Sequence, residues 1–227
     1  MAIILNIDSS IDAASLCISK NGESLCFQKN DVLKDHTIWM HSTLQSILTN
    51  ASLTMKDMEA VAVTIGPGSY TGLRIGLAAA KGFCYALNIP LVTINTLELM
   101  TDVAIKNLTN VDDANTDLFC PMIDARRMEV FTALYNCKLE TIEPPRASIL
   151  DTTSFSEKLA TNKIHFFGNG SMKFQNICVS PSAFFESINW DARNLIPLVE
   201  KKTINKEFTD LAYSEPLYLK EYYTPAH

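Results

Sequence analysis

The chain has 227 residues, of which 47% are hydrophobic, and its formal net charge is −6. This length and composition are enough for a sizeable core, in one large domain or in two small lobes. The acidic balance, without any run of basic residues, excludes a stand-alone nucleic-acid-binding protein, because phosphate contacts need clustered Lys and Arg side chains.

The first half of the chain predicts a strand meander followed by alternating strands and helices. Asn21-Gly22 is a strong signal for a two-residue hairpin. Strands are predicted at residues 2–8, 14–19, 23–29, 60–65 and 90–94, and helices at residues 36–51, 72–88 and 95–108. The helix at 72–88 joins two of these strands as a crossover, which makes a βαβ unit. The preceding helix carries an apolar stripe from Met40 to Ala51, with Ile38 and Trp39 off the stripe.

The second half restarts the pattern after a polar stretch at residues 109–117. We predict a first lobe at residues 1–110 and a smaller second lobe at 111–227, whose final segment packs back on the first. Strands are predicted at 118–123, 130–135 and 164–167, short helices at 155–161, 183–187 and 195–202, and irregular backbone around Pro144-Pro145. Each half opens with a strand ending in Ile-Asp, at Asp8 and at Asp124, and this echo indicates a duplicated architecture.

The compartment follows from the cysteines and from the lack of long apolar segments. The six cysteines include no C-x-x-C pair and most lie in apolar runs, which is typical of free thiols. No stretch approaches the roughly 20 apolar residues that span a bilayer. We therefore expect a cytoplasmic protein.

A glycine-punctuated turn joins the strand at 60–65 to the crossover helix. Gly66 and Gly68 flank Pro67 and end the strand, and Thr71 stands where a helix N-cap is expected. The free amides at the start of such a helix favour an anion or a polar group of a partner. Glycine is equally needed where two backbones approach closely, so a binding role and a structural role both stay open.

The sequence GPGSYTGLRIG at residues 66–76 resembles the signature of the TsaB family, bacterial proteins of tRNA threonylcarbamoyladenosine biosynthesis. Residues 4–10 resemble its first strand and residues 124–131, DARRMEVF, its second-domain motif. Gly168-Asn169-Gly170 and residues 215–220 fall where the family has a glycine pair and a closing strand. The resemblance implies a two-lobed, actin-like α/β fold, as in sugar kinases and heat-shock ATPases, with a mixed sheet and flanking helices in each lobe.

Nucleotide binding in the actin-like fold depends on a glycine-rich turn after the first strand of each lobe, because backbone amides must approach the phosphates. Here these turns begin at Asp8 and Asp124 and contain no glycine. Candidates for a residual nucleotide site are Asp8, Ser9, Gly168 and Gly170. The alternative for each is a turn residue with local hydrogen bonds. Arg126 and Arg127 likewise offer either a phosphate clamp or a solvated turn.

The resemblance extends to TsaD, the related catalytic subunit, in which two histidines on the helix after the second glycine-flanked strand hold a metal. The matching positions here are Thr96 and Met100, and neither is a usual ligand of a hard metal ion. His36 and His41 lie five residues apart on a helix and so diverge. The resemblance thus implies a non-catalytic subunit that needs no cofactor itself, with any ATP or ADP and Mg²⁺ belonging to the complex.

The crossover helix has an apolar arc wider than one sheet contact requires. Leu73 and Leu77 lie on one side of the helix, and Ile75 and Ala79 on another. Either both sides are internal core, or a partner covers the second. The predicted partner interface comprises Ile38, Trp39, Gly72, Leu73, Arg74, Ile75, Gly76, Ala79, Gly82 and Ala86.

The partner that the resemblance implies is a TsaD-like catalytic subunit, joined by a TsaE-like ATPase. A homodimer is expected when the chain is alone, and tRNA is expected to be contacted only through the partner. A second hypothesis is an actin-like ATPase or small-molecule kinase acting on its own, which intact phosphate turns would favour. A serine peptidase has no supporting motif.

Overall fold

The computed structural model describes residues 2–11, 13–30, 36–108 and 117–220, with backbone alone for residues 36–38. The chain divides into two compact units. The first comprises Met1–Leu99 and Trp190–Leu217, and the second Met100–Asn189 and Tyr218–His227. The boundary predicted at residues 109–117 lies outside the described residues, except for Asp117.

The first unit is built on a five-stranded mixed sheet in the order β3-β2-β1-β4-β5. Strands β1, β2 and β3 are antiparallel, whereas β4 and β5 continue the sheet in parallel from β1. The Asn21-Gly22 hairpin is confirmed, with φ of 55° and 80°, the positive values that a tight hairpin requires. The elements are β1 (Ile3–Asp8), β2 (Ser15–Lys20), β3 (Glu23–Lys29), α1 (His36–Asn50), β4 (Ala60–Gly66), α2 (Tyr70–Leu87) and β5 (Leu91–Asn95).

Helices cover this sheet because their apolar stripes match its buried strands. The stripe predicted on α1 is confirmed, since Met40, Leu44 and Ile47 are buried in one cluster with residues of β1, β2 and β4. Asn95 caps α3 (Thr96–Asn107), its Oδ1 accepting from the Leu97 amide at 2.8 Å. A 3-10 helix (Ala192–Leu195) and α6 (Ile196–Ile204) also belong to the first unit, apart from the end of α3.

The second unit repeats the topology of the first. Its sheet has the order β10-β9-β6-β7-β8, with β6, β7 and β8 antiparallel and β9 and β10 parallel to β6. The predicted duplicated architecture and α/β fold class, two mixed sheets with flanking helices, are confirmed. The elements are β6 (Asp117–Asp124), β7 (Glu129–Asn136), β8 (Thr141–Ile149), α4 (Ser156–Leu159), β9 (Lys163–Phe167), α5 (Ser171–Gln175) and β10 (Ala183–Glu186).

Three local predictions for the second half are wrong. Residues 183–186 form a strand and not a helix, because Phe184 stacks on His165 while Phe185 stacks on Phe166 of the other face, an alternation of period two. The irregular backbone predicted around Pro144-Pro145 is strand β8, at the edge of its sheet, where a proline is tolerated. The segment 215–220 is not a strand, although the Leu217 amide donates to the Ile65 carbonyl at 2.7 Å.

Among the described residues, no helix combines the length and the apolar character that a membrane crossing requires.

Candidate functional site

The turn at the head of α2 is the most specific sequence feature, and its cap differs from the prediction. Ser69, and not Thr71, is the N-cap, because its Oγ accepts a hydrogen bond from the Gly72 amide at 3.3 Å. The helix therefore begins at Tyr70, and Thr71 is an exposed residue of its first turn. Gly66 ends β4 with φ of 112°, a value that L side chains rarely adopt.

The loop after β1 fills the space in front of α2. The Ser69 amide donates to the Ser10 carbonyl at 2.8 Å, and Ser9 Oγ donates to the Gly72 carbonyl at 2.9 Å. Polar groups that a phosphate would need are thus bonded within the chain. The start of α2 is a packed junction and not an open anion cradle.

Three glycines make this junction possible. A Cβ on Gly68 or Gly72 would overlap the carbonyl oxygen of Ser10 or Ser9, and a Cβ on Gly76 would overlap Ser9 Oγ. The structural role left open for these glycines therefore accounts for their presence. Gly82 differs, since a Cβ there would meet nothing within 4 Å.

Asp8 is an internal hydrogen-bond acceptor at the end of β1. Its Oδ1 accepts from the Ser10 amide at 3.1 Å, from Ser10 Oγ at 2.7 Å and from Thr64 Oγ1 at 2.8 Å. Asp8 and Ser9 are each 1% exposed, so neither is open to a nucleotide in this arrangement. Burial raises the pKa of Asp8, and the hydrogen bonds from Ser10 and Thr64 oppose that rise without cancelling it.

Asp8→Asn is expected to leave stability at neutral pH unchanged or raised. An amide oxygen can accept the same three hydrogen bonds, and Oδ2 has no hydrogen-bond partner within the described chain. Because the folded pKa is raised, the wild-type protein loses stability as pH rises from the unfolded pKa, about 3.9, through the folded value. The difference between variant and wild type should therefore shrink at acid pH, as measured by urea unfolding at pH 4 and pH 7.

Asp191→Asn is the matched control with the opposite sign. Burial would raise the pKa of Asp191, but the hydrogen bonds and charge of Arg193, bound at 2.7 Å, outweigh it and lower the pKa. This control should therefore lose stability at pH 7 and recover towards wild type as pH falls. A loss above about 1 kcal/mol for Asp8→Asn at pH 7 would instead show that an ionised Asp8 is needed.

The equivalent turn of the second unit is also tied up locally. Asn169 Oδ1 accepts from the Asp124 amide at 2.9 Å. Gly168 has φ of 94°, and a Cβ on it would overlap the Met122 carbonyl oxygen. A Cβ on Gly170 would lie 3.1 Å from the Asp124 nitrogen. Both glycines are thus required by the close packing of a turn, the alternative weighed against a nucleoside site.

The positions that match the metal-binding histidines of TsaD are closed as well. Thr96 and Met100 are completely buried. Among the residues that the structure describes, no three His, Cys, Asp or Glu side chains are grouped to hold a metal ion. His165 lies between the rings of Phe119 and Phe184, which identifies it as a core residue of the second unit.

An open groove of about 620 Å³ runs along the other side of α2. It is lined by His41 from α1 and by Arg74, Ile75, Ala78, Ala79, Gly82 and Phe83. Arg74, Ile75, Ala79 and Gly82 belong to the predicted interface. The prediction missed Ala78, Phe83 and His41, although Ala78 and Phe83 follow Ile75 and Ala79 at helical spacings of three and four.

The rest of the predicted interface lies elsewhere. Gly72, Leu73 and Gly76 are buried in the first unit, and their assignment to a partner surface is wrong because the chain's own β1 loop and core cover them. Trp39 is half-buried and packs against the same core. Ala86 is exposed on α2 away from the groove lining. The side chain of Ile38 lies outside the described residues.

Arg74 gives the groove a cationic end. Its side chain is exposed, and the guanidinium carbon lies 4.1 Å from the centroid of the Tyr70 ring. This cation–π contact offsets the unfavourable position of a positive charge near a helix N-terminus. The groove therefore combines an apolar floor of small side chains with one cationic residue at its rim.

Comparison with known proteins places this arrangement in a family. A family model described as "TsaD: tRNA N6-adenosine threonylcarbamoyltransferase" matches residues 30–218. The tRNA threonylcarbamoyladenosine biosynthesis protein TsaB of Buchnera aphidicola subsp. Schizaphis graminum is 37% identical over 102 residues, 45% of this chain and 48% of that protein. TsaB of Buchnera aphidicola subsp. Baizongia pistaciae is 24% identical over 224 residues, 96% and 98% of the two chains. The chain belongs to the TsaB family.

A solved structure supports the fold of this TsaB-family chain. A Pseudomonas aeruginosa protein described as similar to peptidase YeaZ aligns with a TM-score of 0.79, at 21% identity, over 97% of this chain and 100% of the other. The match to the Schizaphis graminum relative spans about half of that protein's length, whereas the Baizongia pistaciae match spans nearly all of its length. The family membership and the groove on α2 together direct attention to binding and away from the closed turns.

Proposed function

We propose that the chain is a non-catalytic subunit of a complex that forms threonylcarbamoyladenosine in tRNA, and that it docks on a TsaD-like catalytic subunit through the α2 groove. The observation that carries the proposal is the groove itself, a helix face of Ile75, Ala79 and Gly82 that the chain's own core does not cover. Small side chains let a second helix approach closely, and burial of such a face stabilises a complex. The relatives' names supply the pathway.

The closed junctions support the non-catalytic assignment. Asp8 and Ser9 are buried, and the glycines of both turns serve packing. The second hypothesis, an independent ATPase or kinase, would need these turns open to phosphates. ATP or ADP and Mg²⁺ would then be held by the complex and its TsaE-like ATPase.

Two further expectations belong to the same proposal. The groove would be covered by a second copy in a homodimer when the catalytic subunit is absent, because an apolar face in water is unfavourable. The six free cysteines, half of them buried, suit a reducing, cytoplasmic setting.

Arg74→Ala is expected to leave the melting temperature of the isolated chain nearly unchanged and to weaken binding to the cognate TsaD-like subunit about tenfold. The side chain is exposed, and its loss removes one surface cation–π contact of about 0.5–1 kcal/mol. In the complex the same charge would lie on the rim of a buried interface, where a partner carboxylate can pair with it. Pull-down and titration calorimetry with the purified partner measure the effect.

Two results would contradict these statements. Wild-type protein that captures no TsaD-like subunit would overturn the proposed function. A sharply lower melting temperature for Arg74→Ala, with normal capture by the folded fraction, would make Arg74 an internal strut and not an interface residue.

A further inference from the structure

The hairpin turn between β6 and β7 holds two consecutive arginines in a backbone conformation that arginine rarely adopts. Arg126 has φ of 72° and Arg127 has φ of 47°. Tight turns with positive φ normally carry Asn, Asp or Gly, since a Cβ is disfavoured there. Both side chains are exposed. Arginine at both positions therefore opposes local stability and points to a role outside the folding of the turn.

The base of this turn is held firmly by the second unit. Asp124 Oδ1 accepts from the Arg126 amide at 2.6 Å and from Lys173 Nζ at 2.8 Å. Lys173 Nζ also donates to the Glu129 carbonyl at 2.9 Å. The turn thus presents its arginines from a fixed platform, which lowers the conformational entropy lost when they bind.

The local charges are arranged so that the arginines are not neutralised. Lys173 pairs with Asp124, and Lys220 pairs with the Glu129 carboxylate at 2.5 Å. Neither Arg126 nor Arg127 has a side-chain hydrogen bond or ion pair with the described part of the chain. The two lysines and two carboxylates cancel, and the turn keeps two free positive charges on a protein of net charge −6.

We infer that Arg126 and Arg127 bind the phosphate backbone of RNA. Guanidinium groups match phosphate oxygens in a two-pronged geometry, and exposed, solvated phosphodiesters suit two adjacent but separate arginines. Two contacts are too few for stand-alone binding by an acidic protein, so they would add to the hold of other subunits on the same RNA. The inference rests on the proposed function, because it takes the RNA to be the tRNA that the complex modifies.

The test uses the assembled complex of this chain with its TsaD-like subunit and an unmodified tRNA transcript. The variant Arg126→Asn with Arg127→Gly places residues that favour positive φ in the turn, so its melting temperature should be equal to or above that of the wild type. Its affinity for the tRNA is expected to fall about three- to tenfold. The slope of log affinity against log salt concentration should become shallower by about 1.5, for two lost phosphate contacts.

Arg146→Gln is the matched control, since Arg146 is an exposed arginine of the same unit that pairs with Glu143 at 2.6 Å. It should change neither the tRNA affinity nor the salt slope. Unchanged tRNA binding by the double variant in a normally assembled complex would overturn this inference alone. An equal loss in Arg146→Gln, or a loss of assembly in place of RNA affinity, would overturn it in favour of general charge or of an acidic protein partner. Failure of the wild-type chain to assemble would overturn the proposed function and this inference together.

Discussion

Gly72→Ala is expected to lower the stability of the protein by about 3 kcal/mol or more, which corresponds to a fall in melting temperature of roughly 6–12 °C for a chain of this size. The added Cβ would overlap the carbonyl oxygen of Ser9. A backbone atom cannot rotate away as a side chain can, so the β1 loop and α2 must separate. Separation would also break the hydrogen bond from Ser9 Oγ to the Gly72 carbonyl, 2.9 Å long and buried. Thermal denaturation followed by circular dichroism measures the change.

Gly82→Ala on the same helix is the matched control. Both substitutions gain the same helix propensity, up to about 1 kcal/mol. At Gly82 no atom lies within 4 Å of the new Cβ, so this variant should be as stable as the wild type or more stable. Equal melting temperatures for the two variants would show that the β1 loop does not press against α2 as described.

Ala79→Arg is expected to weaken binding to the TsaD-like subunit at least about a hundredfold, while the isolated chain keeps its fold. Ala79 is half-buried on the groove side of α2, so a long side chain there can extend into solvent in the free protein. In a complex it would place an unpaired charge in an apolar contact, beside the existing charge of Arg74. An uncompensated buried charge costs about 3–5 kcal/mol, and each 1.4 kcal/mol is about tenfold in affinity. Titration calorimetry measures the complex, and light scattering measures the homodimer that the same surface should form.

Tyr85→Arg introduces the same charge on another side of the same helix. Tyr85 is 83% exposed and does not line the groove. This variant should bind the TsaD-like subunit as the wild type does. If Ala79→Arg binds normally, or if both variants lose binding equally, the groove is not the docking surface.

The candidate site was predictable from the sequence in type but not in membership. Ile75, Ala79 and Gly82 repeat at helical spacing, and this repetition suffices to predict a second apolar face on α2. The pattern does not distinguish that face from Gly72, Leu73 and Gly76, which are also small or apolar and are buried under the β1 loop. His41 joins the groove from α1, and such a contact between separate helices leaves no periodic signal within either helix.

The sequence by itself determined the order of elements and the duplication of the architecture. Hydrophobic period, the Asn21-Gly22 turn and the paired Ile-Asp strand ends are local patterns, and local backbone preferences are enough to produce them. The tertiary structure alone decided which segment lies against which. Residues 183–186 became a strand because β9 offers a partner for pairing, and Pro144-Pro145 stayed in β8 because that strand lies at an edge. Asp8 became a closed acceptor because Ser10 and Thr64 meet there across 56 residues, a proximity that depends on long-range packing and that no short window of sequence contains.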